Sequence, residues 1–170
     1  MRNGTRSQCK TRWTPSAHRP TCKVKLGYQY CYLYAALNTY RGSLFSLVLP
    51  DMTKESFCAF TVHFSHYLDE VYGVDSELRK QVLLIGDGAG AHQEKICLQS
   101  GFSFHKLPPA SPELNPVERF FEELRKELAN HIFETIDEVE QYFIAILEKY
   151  YHNPQCIIQL TQYPYIRLPI

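Results

Sequence analysis

The sequence lacks the features that mark membrane proteins and exported, disulfide-rich proteins. No apolar run approaches the roughly 20 residues that a membrane-spanning helix needs, and the basic N-terminal residues have no apolar core typical of a signal peptide. None of the six cysteines forms a C-x-x-C pair. The scattered spacing favours free thiols. We therefore expect a cytoplasmic protein with neither disulfides nor membrane segments.

Acidic residues are absent from the first fifty positions. Eight basic residues lie there unopposed, whereas residues 113–150 contain ten acids and four basic residues, although the net charge of the chain is zero. Such asymmetry marks either an end that faces nucleic acid or a basic end that offsets acidic helices within one fold. Charge alone leaves both interpretations open. Under the first, Arg12, Lys23 and Lys25 are candidates for phosphate contacts with DNA.

The pattern of apolar residues predicts one α/β domain. With 170 residues, 45% of them hydrophobic and 14% aromatic, the chain is long and apolar enough to form a core. Apolar residues with period two predict strands, and three- and four-residue steps predict helices. The predicted strands are 28–37, 43–49, 82–85 and 102–107, and the predicted helices are 53–72, 91–100, 116–131 and 135–151. Residues 1–24 and 153–170, which contain several prolines, are predicted to be irregular.

Two acidic residues in the stretch from 82 to 118 lie close to the ends of predicted strands and helices. Asp87 comes directly after an apolar run that predicts a buried strand, and ligands bind at the carboxyl ends of such strands. Asn115 and Pro116 are suited to begin a helix, which places Glu118 in its first turn. Either acid alone is commonly a turn former or a partner of the helix dipole. The spacing predicts that both carboxylates lie on one face.

The same stretch resembles the catalytic domain of DDE transposases, in particular the bacterial insertion-sequence branch of the mariner superfamily. The family's pattern is a hydrophobic strand that ends in Asp, a His five residues later, and then L-P-x-x-S-P-x-L-N-P-x-E. Here the pattern is met by Asp87, by His92 and by the run from Leu107 to Glu118. The resemblance implies a ribonuclease-H-like fold, in which an antiparallel hairpin lies beside parallel strands with flanking helices.

The resemblance also implies a chemistry and its partners. DDE transposases cleave DNA and transfer strands with two Mg²⁺ or Mn²⁺ ions, so Asp87 and Glu118 would be catalytic metal ligands, with DNA as the partner. His92 and Asn115 would support the metal site. A two-metal site of this kind activates the attacking water or 3′-hydroxyl and stabilises the leaving oxygen.

One part of the family pattern has no counterpart in this chain. The family shows Asp-Glu-x-Arg-x-Gly on its first strand, and Arg2 and Gly4 match only the last two positions. The resemblance therefore implies a single catalytic domain over 1–170 that lacks the first catalytic strand and the N-terminal helix-turn-helix region. We expect such a chain to be inactive alone, with the N-terminal part of a transposase or a second copy as a further partner.

Three classes of function remain open, and with them whether the chain is itself an enzyme. The first is the C-terminal part of a DDE transposase. The second is a non-catalytic remnant that binds DNA or a full-length transposase. The third is another two-metal nuclease of the same fold. The Leu-Pro to Asn-Pro-x-Glu run favours the first class over the third. A frameshift product, a truncated copy and a fragment of a transposase would all have this same sequence pattern.

Overall fold

Five strands form two separate sheets in the computed structural model, which describes residues 1–11, 13–18 and 21–163. The first sheet is antiparallel, in the order β1-β2-β3, and the second is a parallel pair, β4-β5. The predicted hairpin and the predicted parallel pair are confirmed. The strands are β1 (Arg2–Gly4), β2 (Tyr30–Asn38), β3 (Ser43–Leu49), β4 (Leu83–Gly86) and β5 (Ser103–Lys106).

Each of three long helices begins directly after a residue whose side chain caps it. The Thr53 side chain accepts from the Ser56 N–H, the Asn115 side chain from the Val117 N–H, and the Thr135 side chain from the Glu138 N–H. None of the helices in the described part of the chain is long and apolar enough to cross a membrane. The helices are α1 (Lys54–Tyr72), α2 (Glu77–Lys80), α3 (Glu94–Gln99), α4 (Pro116–Leu128), α5 (Ile136–Tyr151) and α6 (Pro154–Thr161).

Both terminal segments contain regular structure that the sequence patterns did not predict. In the C-terminal one, Pro154 occupies the first position of α6, where its missing N–H is harmless, and Ile157 is buried in the core. In the N-terminal one, β1 is too short to show a period and exists because it pairs with β2. The predicted irregularity of 1–24 and 153–170 is therefore wrong for these two elements. Residues 164–170 lie outside the described part.

The first sheet carries helices on both faces, which gives the domain two hydrophobic clusters. On one face Leu33 packs with the buried aromatics of α4 and α5, Phe120 and Phe143. On the other face Tyr34 belongs to a second cluster, together with the phenylalanines of α1 and Phe102. Because successive residues of β2 point to opposite faces, one strand contributes to both clusters.

The strand that precedes Asp87 is less buried than its apolar sequence predicts. Leu83 and Ile85 of β4 are 52% and 49% exposed, so the prediction of a buried strand at 82–85 is wrong. The physical reason is that β4 has a strand on one side only, since β5 is its single neighbour in the described sheet.

Candidate functional site

Asp87 presents its carboxylate at the carboxyl end of β4. Its Oδ1 accepts from the Ala89 N–H at 3.3 Å and lies 2.6 Å from His92 Nδ1. The hydrogen bond to His92 lowers the pKa of Asp87 below its usual value, against the opposing effect of burial. His92 is in turn held against the Phe57 ring, with 4.7 Å between ring centroids. Asp87 is thus an ionised and oriented carboxylate, and its side chain is 59% exposed to solvent.

Glu118 is positioned by the start of α4. Asn115, which is buried, caps the helix, because its Oδ1 accepts a hydrogen bond from the Val117 N–H at 3.3 Å. The backbone carbonyl of Asn115 accepts a second one from the Glu118 N–H at 3.0 Å. The Glu118 carboxylate lies 3.8 Å from Arg125 Nη2, further along the same helix. The Asn115 cap therefore fixes the position of the Glu118 carboxylate, as expected from the place of Asn115 in the motif.

A cavity of about 240 Å³ brings the motif residues together. Asp87, His92, Asn115 and Glu118 all line it, between β2 on one side and β4 on the other. Asp87 and Glu118 are the two acidic residues among its lining side chains. The structure thus places four sequence-predicted residues, separated by up to 31 positions in the chain, around one space.

The two carboxylates of the cavity suit a hard divalent cation, but they are fewer than the ligands such an ion needs. Carboxylate oxygens are the ligands that Mg²⁺ and Mn²⁺ prefer, and Mg²⁺ keeps several of its waters. Among the described residues, no group of three or more His, Cys, Asp or Glu side chains could hold a metal ion. Asp87 and Glu118 therefore fit as part of a metal site, with the remaining ligands to come from water, substrate or a further carboxylate.

Besides Arg2, which lines the cavity, three basic groups lie near the site that the sequence did not predict there. Met1 lines the cavity, and its amine donates to the Leu33 carbonyl at 2.5 Å. Lys106 ends β5 and covers Gly88, where an added Cβ would stand 2.3 Å from Lys106 Cε. Arg125 is the third. Lys106 could have been found, because the carboxyl ends of parallel strands share one edge. The other two depend on tertiary contacts.

The buried amine of Met1 leads to a prediction about pH. Burial lowers its pKa from 8.0 to about 6, more than the negative charge of Glu118 raises it. Between these values the unfolded chain binds more protons than the folded chain, so the free energy of unfolding should rise with pH. We expect a gain of about 1–2 kcal/mol from pH 6 to pH 8, measured by urea denaturation. An N-terminally acetylated chain should lack this gain, and equal pH dependence of both chains would contradict the prediction.

The candidate DNA-binding residues differ in their surroundings. Lys23 is exposed. Lys25 uses its ammonium within the chain, since Nζ donates to the carbonyls of Phe133 and Glu134 at 3.1 Å and to the Glu134 carboxylate at 2.6 Å. It thereby fastens the N-terminal segment to the residues before α5. Arg12 lies outside the described residues.

A second, more open cavity of about 470 Å³ lies away from the motif residues. It surrounds Arg79, which is buried and donates to the Asp69 carboxylate, to the Ser65 hydroxyl and to the Gly101 carbonyl. Because its guanidinium is fully engaged in joining α1 to the loop before β5, we interpret Arg79 as structural. The smaller cavity, which holds the two motif carboxylates, is the candidate site.

Comparison with known proteins identifies the family. The family model described as DDE superfamily endonuclease matches residues 3–140. The chain is also 29% identical, over 133 residues, to the uncharacterized protein y4pE/y4sA of Sinorhizobium fredii (strain NBRC 101917 / NGR234). This alignment covers 77% of the chain and 93% of that protein.

Solved structures of the Mos1 transposase share the fold. A pre-cleavage Mos1 transpososome superimposes with a TM-score of 0.68 at 12% identity, and covers 96% of this chain. The Mos1 mariner paired-end complex with Mn has a TM-score of 0.63 at 14% identity, and covers 94% of this chain. The chain spans about half the length of the Mos1 chains, 54% and 51% respectively. The predicted ribonuclease-H-like fold is confirmed.

Proposed function

Because this chain belongs to the DDE superfamily endonucleases, we propose that it provides Asp87 and Glu118 to a site that cleaves DNA and transfers strands with two Mg²⁺ or Mn²⁺ ions. The observation that carries the proposal is that both carboxylates line one cavity at the carboxyl end of a parallel strand. When bound, two such ions activate the attacking water or 3′-hydroxyl and stabilise the leaving oxygen.

Each motif residue has a role that follows from its contacts. Asp87 binds the metal through its carboxylate, which the neighbouring His92 keeps ionised and oriented. Asn115 sets the direction of Glu118 by capping α4. Lys106, at the same edge of the sheet, is suited to contact a DNA phosphate.

The site as it stands has too little negative charge for two dications. Asp87 and Glu118 contribute two charges, and mutual repulsion of two ions about 4 Å apart is strong in a partly buried site. A third carboxylate, supplied by the N-terminal part of a transposase or by a second copy, would complete it. Without one, the chain binds DNA and metal weakly and has negligible nicking activity. This shortage equally favours the second candidate function, a non-catalytic protein that binds DNA.

Metal binding tests the proposed ligands directly. We expect Asp87→Asn and Glu118→Gln each to weaken Mn²⁺ binding by at least about tenfold, because each removes one of two carboxylates. Binding is measured from the electron paramagnetic resonance signal of free Mn²⁺. Glu122→Gln, which makes the same chemical change on the same helix outside the cavity, should leave the affinity unchanged. Equal affinities in all variants would show that Asp87 and Glu118 are not the ligands.

DNA binding tests the basic N-terminal segment. We expect Arg12→Glu and Lys23→Glu to weaken binding to duplex DNA and to reduce the salt slope by about one for each phosphate that the protein no longer neutralises. Fluorescence anisotropy at several salt concentrations measures both quantities. Lys149→Glu makes the same change in charge within the acidic segment and should have little effect. Lys25→Glu should also lower stability, because it breaks the ion pair with Glu134. If the three N-terminal variants bind DNA with the same affinity and salt slope as the control Lys149→Glu, the segment does not contact DNA.

A further inference from the structure

The loop between β1 and β2 has two legs that run side by side, one leaving β1 and one returning to β2. The Thr5 N–H donates to the Gln29 carbonyl at 3.1 Å, and the Ser7 N–H donates to the Lys25 carbonyl at 3.1 Å. The Lys25 N–H in turn donates to the Ser7 hydroxyl at 2.9 Å. These bonds continue the antiparallel pairing of β1 with β2. The two legs are therefore held together beyond the end of the sheet.

Two cysteines, one on each leg, meet further along the loop. The Sγ atoms of Cys9 and Cys22 lie 3.7 Å apart, and both side chains are exposed. A disulfide bond has an S–S length of about 2.05 Å, so the two sulfurs need to approach each other by less than about 2 Å to become bonded. The chain thus brings two accessible thiols into contact.

Asn130, which follows α4, holds both legs at the level of the cysteines. Its N–H donates to the Gln8 carbonyl at 2.8 Å, and its Oδ1 accepts from the Lys10 N–H at 3.3 Å. The same Oδ1 accepts from Cys22 Sγ at 3.7 Å. Asn130 has a φ of 65°, in the left-handed region that Asn adopts more readily than most residues. Because Gln8 and Lys10 flank Cys9, these contacts position both cysteines.

We propose that Cys9 and Cys22 are a redox modification site, which a small-molecule disulfide such as glutathione disulfide converts into an intramolecular disulfide bond. One cysteine thiolate attacks a sulfur of glutathione disulfide, and one glutathione leaves as a thiolate that takes up a proton. The second cysteine thiolate attacks the sulfur of the first cysteine in this mixed disulfide, and the second glutathione leaves in the same way. The two cysteine thiols lose two protons and two electrons, which reduce glutathione disulfide to two glutathione thiols.

The bond closes residues 10–21 into a covalent loop. The described part of this loop already turns back on itself, since the His18 N–H donates to the Pro15 carbonyl at 3.1 Å and the Thr14 hydroxyl donates to the His18 carbonyl at 2.9 Å. The loop contains Trp13, the single tryptophan of the sequence, whose side chain is fully exposed. Joining the two legs restricts their relative motion, so oxidation should lower the mobility of Trp13.

Peptide mapping by mass spectrometry tests the pairing. Glutathione disulfide is added at about pH 8.5, because the thiolate is the reactive form and the hydrogen bond to Cys22 raises the pKa of Cys9. Free thiols are then alkylated and the chain is digested with trypsin. We expect residues 7–10 linked to residues 13–23. This product should exceed the glutathione adducts of the two cysteines by at least about tenfold, because the second thiol is held beside the first.

The other exposed cysteines and two variants serve as controls. Cys58 of α1 and Cys156 of α6 are also exposed and should carry glutathione only. In Cys22→Ser, Cys9 should likewise carry glutathione only. Asn130→Gly keeps the N–H and permits the left-handed φ but removes Oδ1, and should lower the ratio of linked product to adducts by at least about threefold. A ratio near one in the unaltered chain, or a link found only in covalent dimers, overturns the proposal.

Time-resolved fluorescence anisotropy of Trp13 measures the effect on the loop. We expect oxidation to reduce the amplitude of the fast nanosecond decay by at least about twofold, because loop motion falls on this timescale. The decay in Cys9→Ser should not respond to glutathione disulfide. Equal decays of the oxidised and reduced unaltered chains would show that the bond does not constrain the loop.

A consequence for DNA binding rests on the proposed function. Residues 10–21 contain three of the eight basic residues of the N-terminal segment. Closing the loop reduces the number of conformations that DNA binding has to order, so the oxidised chain should bind duplex DNA at least about threefold more tightly. Fluorescence anisotropy with labelled DNA measures the affinity, and in Cys9→Ser the oxidant should not change it.

The two proposals fail in different ways. If the linked product forms while the affinity for DNA stays the same, the redox site stands and its effect on DNA is wrong. If Arg12→Glu and Lys23→Glu also leave the affinity unchanged, the N-terminal segment does not bind DNA, and the proposed function loses that part. If no linked product forms while these two variants weaken DNA binding, the redox site is wrong and the DNA-binding segment stands.

Discussion

Metal-dependent cleavage of supercoiled DNA should arise when the N-terminus of the chain is extended by a strand that ends in aspartate and so supplies a third carboxylate beside Asp87 and Glu118. The third carboxylate then balances the charge of two ions, which Asp87 and Glu118 cannot do by themselves. In this extended chain, Asp87→Asn should reduce the nicking rate by at least about 100-fold, because it removes a ligand on which the charge stabilisation depends. Conversion of supercoiled to open-circular plasmid in Mg²⁺ or Mn²⁺ measures the rate.

Three controls make the cleavage experiment decisive. The 170-residue chain should nick at the background rate, and Glu122→Gln in the extended chain should nick normally, since Glu122 lies outside the cavity. An extension that ends in asparagine should be inactive. Cleavage by the 170-residue chain that is lost in Asp87→Ala would show that a different group completes the site. Normal cleavage by extended Asp87→Asn would refute the role of Asp87 as a ligand.

The largest loss of stability is expected from Phe120→Ala. Phe120 is completely buried where α4 meets α5, and its ring contacts the Tyr150 ring edge-on at 5.0 Å between centroids. Removing a phenyl group from such a position typically costs about 3–5 kcal/mol, through reduced burial and the cavity that remains. Urea denaturation measures the change. Because Phe120 lies two residues after Glu118 on α4, weaker Mn²⁺ binding should accompany partial unfolding of this helix.

A matched substitution separates burial from helix propensity. Ile144→Ala also shortens an apolar side chain on a helix, but Ile144 of α5 is 56% exposed. We expect a change within about 1 kcal/mol there, since little buried area is removed and alanine favours helices. Similar losses for Phe120→Ala and Ile144→Ala would contradict the placement of Phe120 at the centre of the core.

Local sequence determined the elements that carry the motif. Thr53, Asn115 and Thr135 each cap the helix they precede, because a short polar side chain beside an apolar period satisfies the first free N–H groups of a helix without help from distant residues. The apolar run before Asp87 likewise predicts a strand there, although it predicts a more buried one than the structure shows. The family too could be identified from one ordered run of residues, since the spacing from Asp87 to Glu118 is a property of the chain itself.

Only the tertiary structure decided which surfaces are covered. Ile157 gives α6 its stability by entering a core built from α4, α5 and β2, so residues far along the chain turn a proline-rich tail into a helix. Leu83 and Ile85 are apolar yet half-exposed, because burial depends on a neighbouring strand and not on the residue alone. Met1 likewise reaches the cavity through its pairing with Leu33. Local propensity acts within one turn or strand, whereas burial and charge at the site are set by segments that meet only on folding.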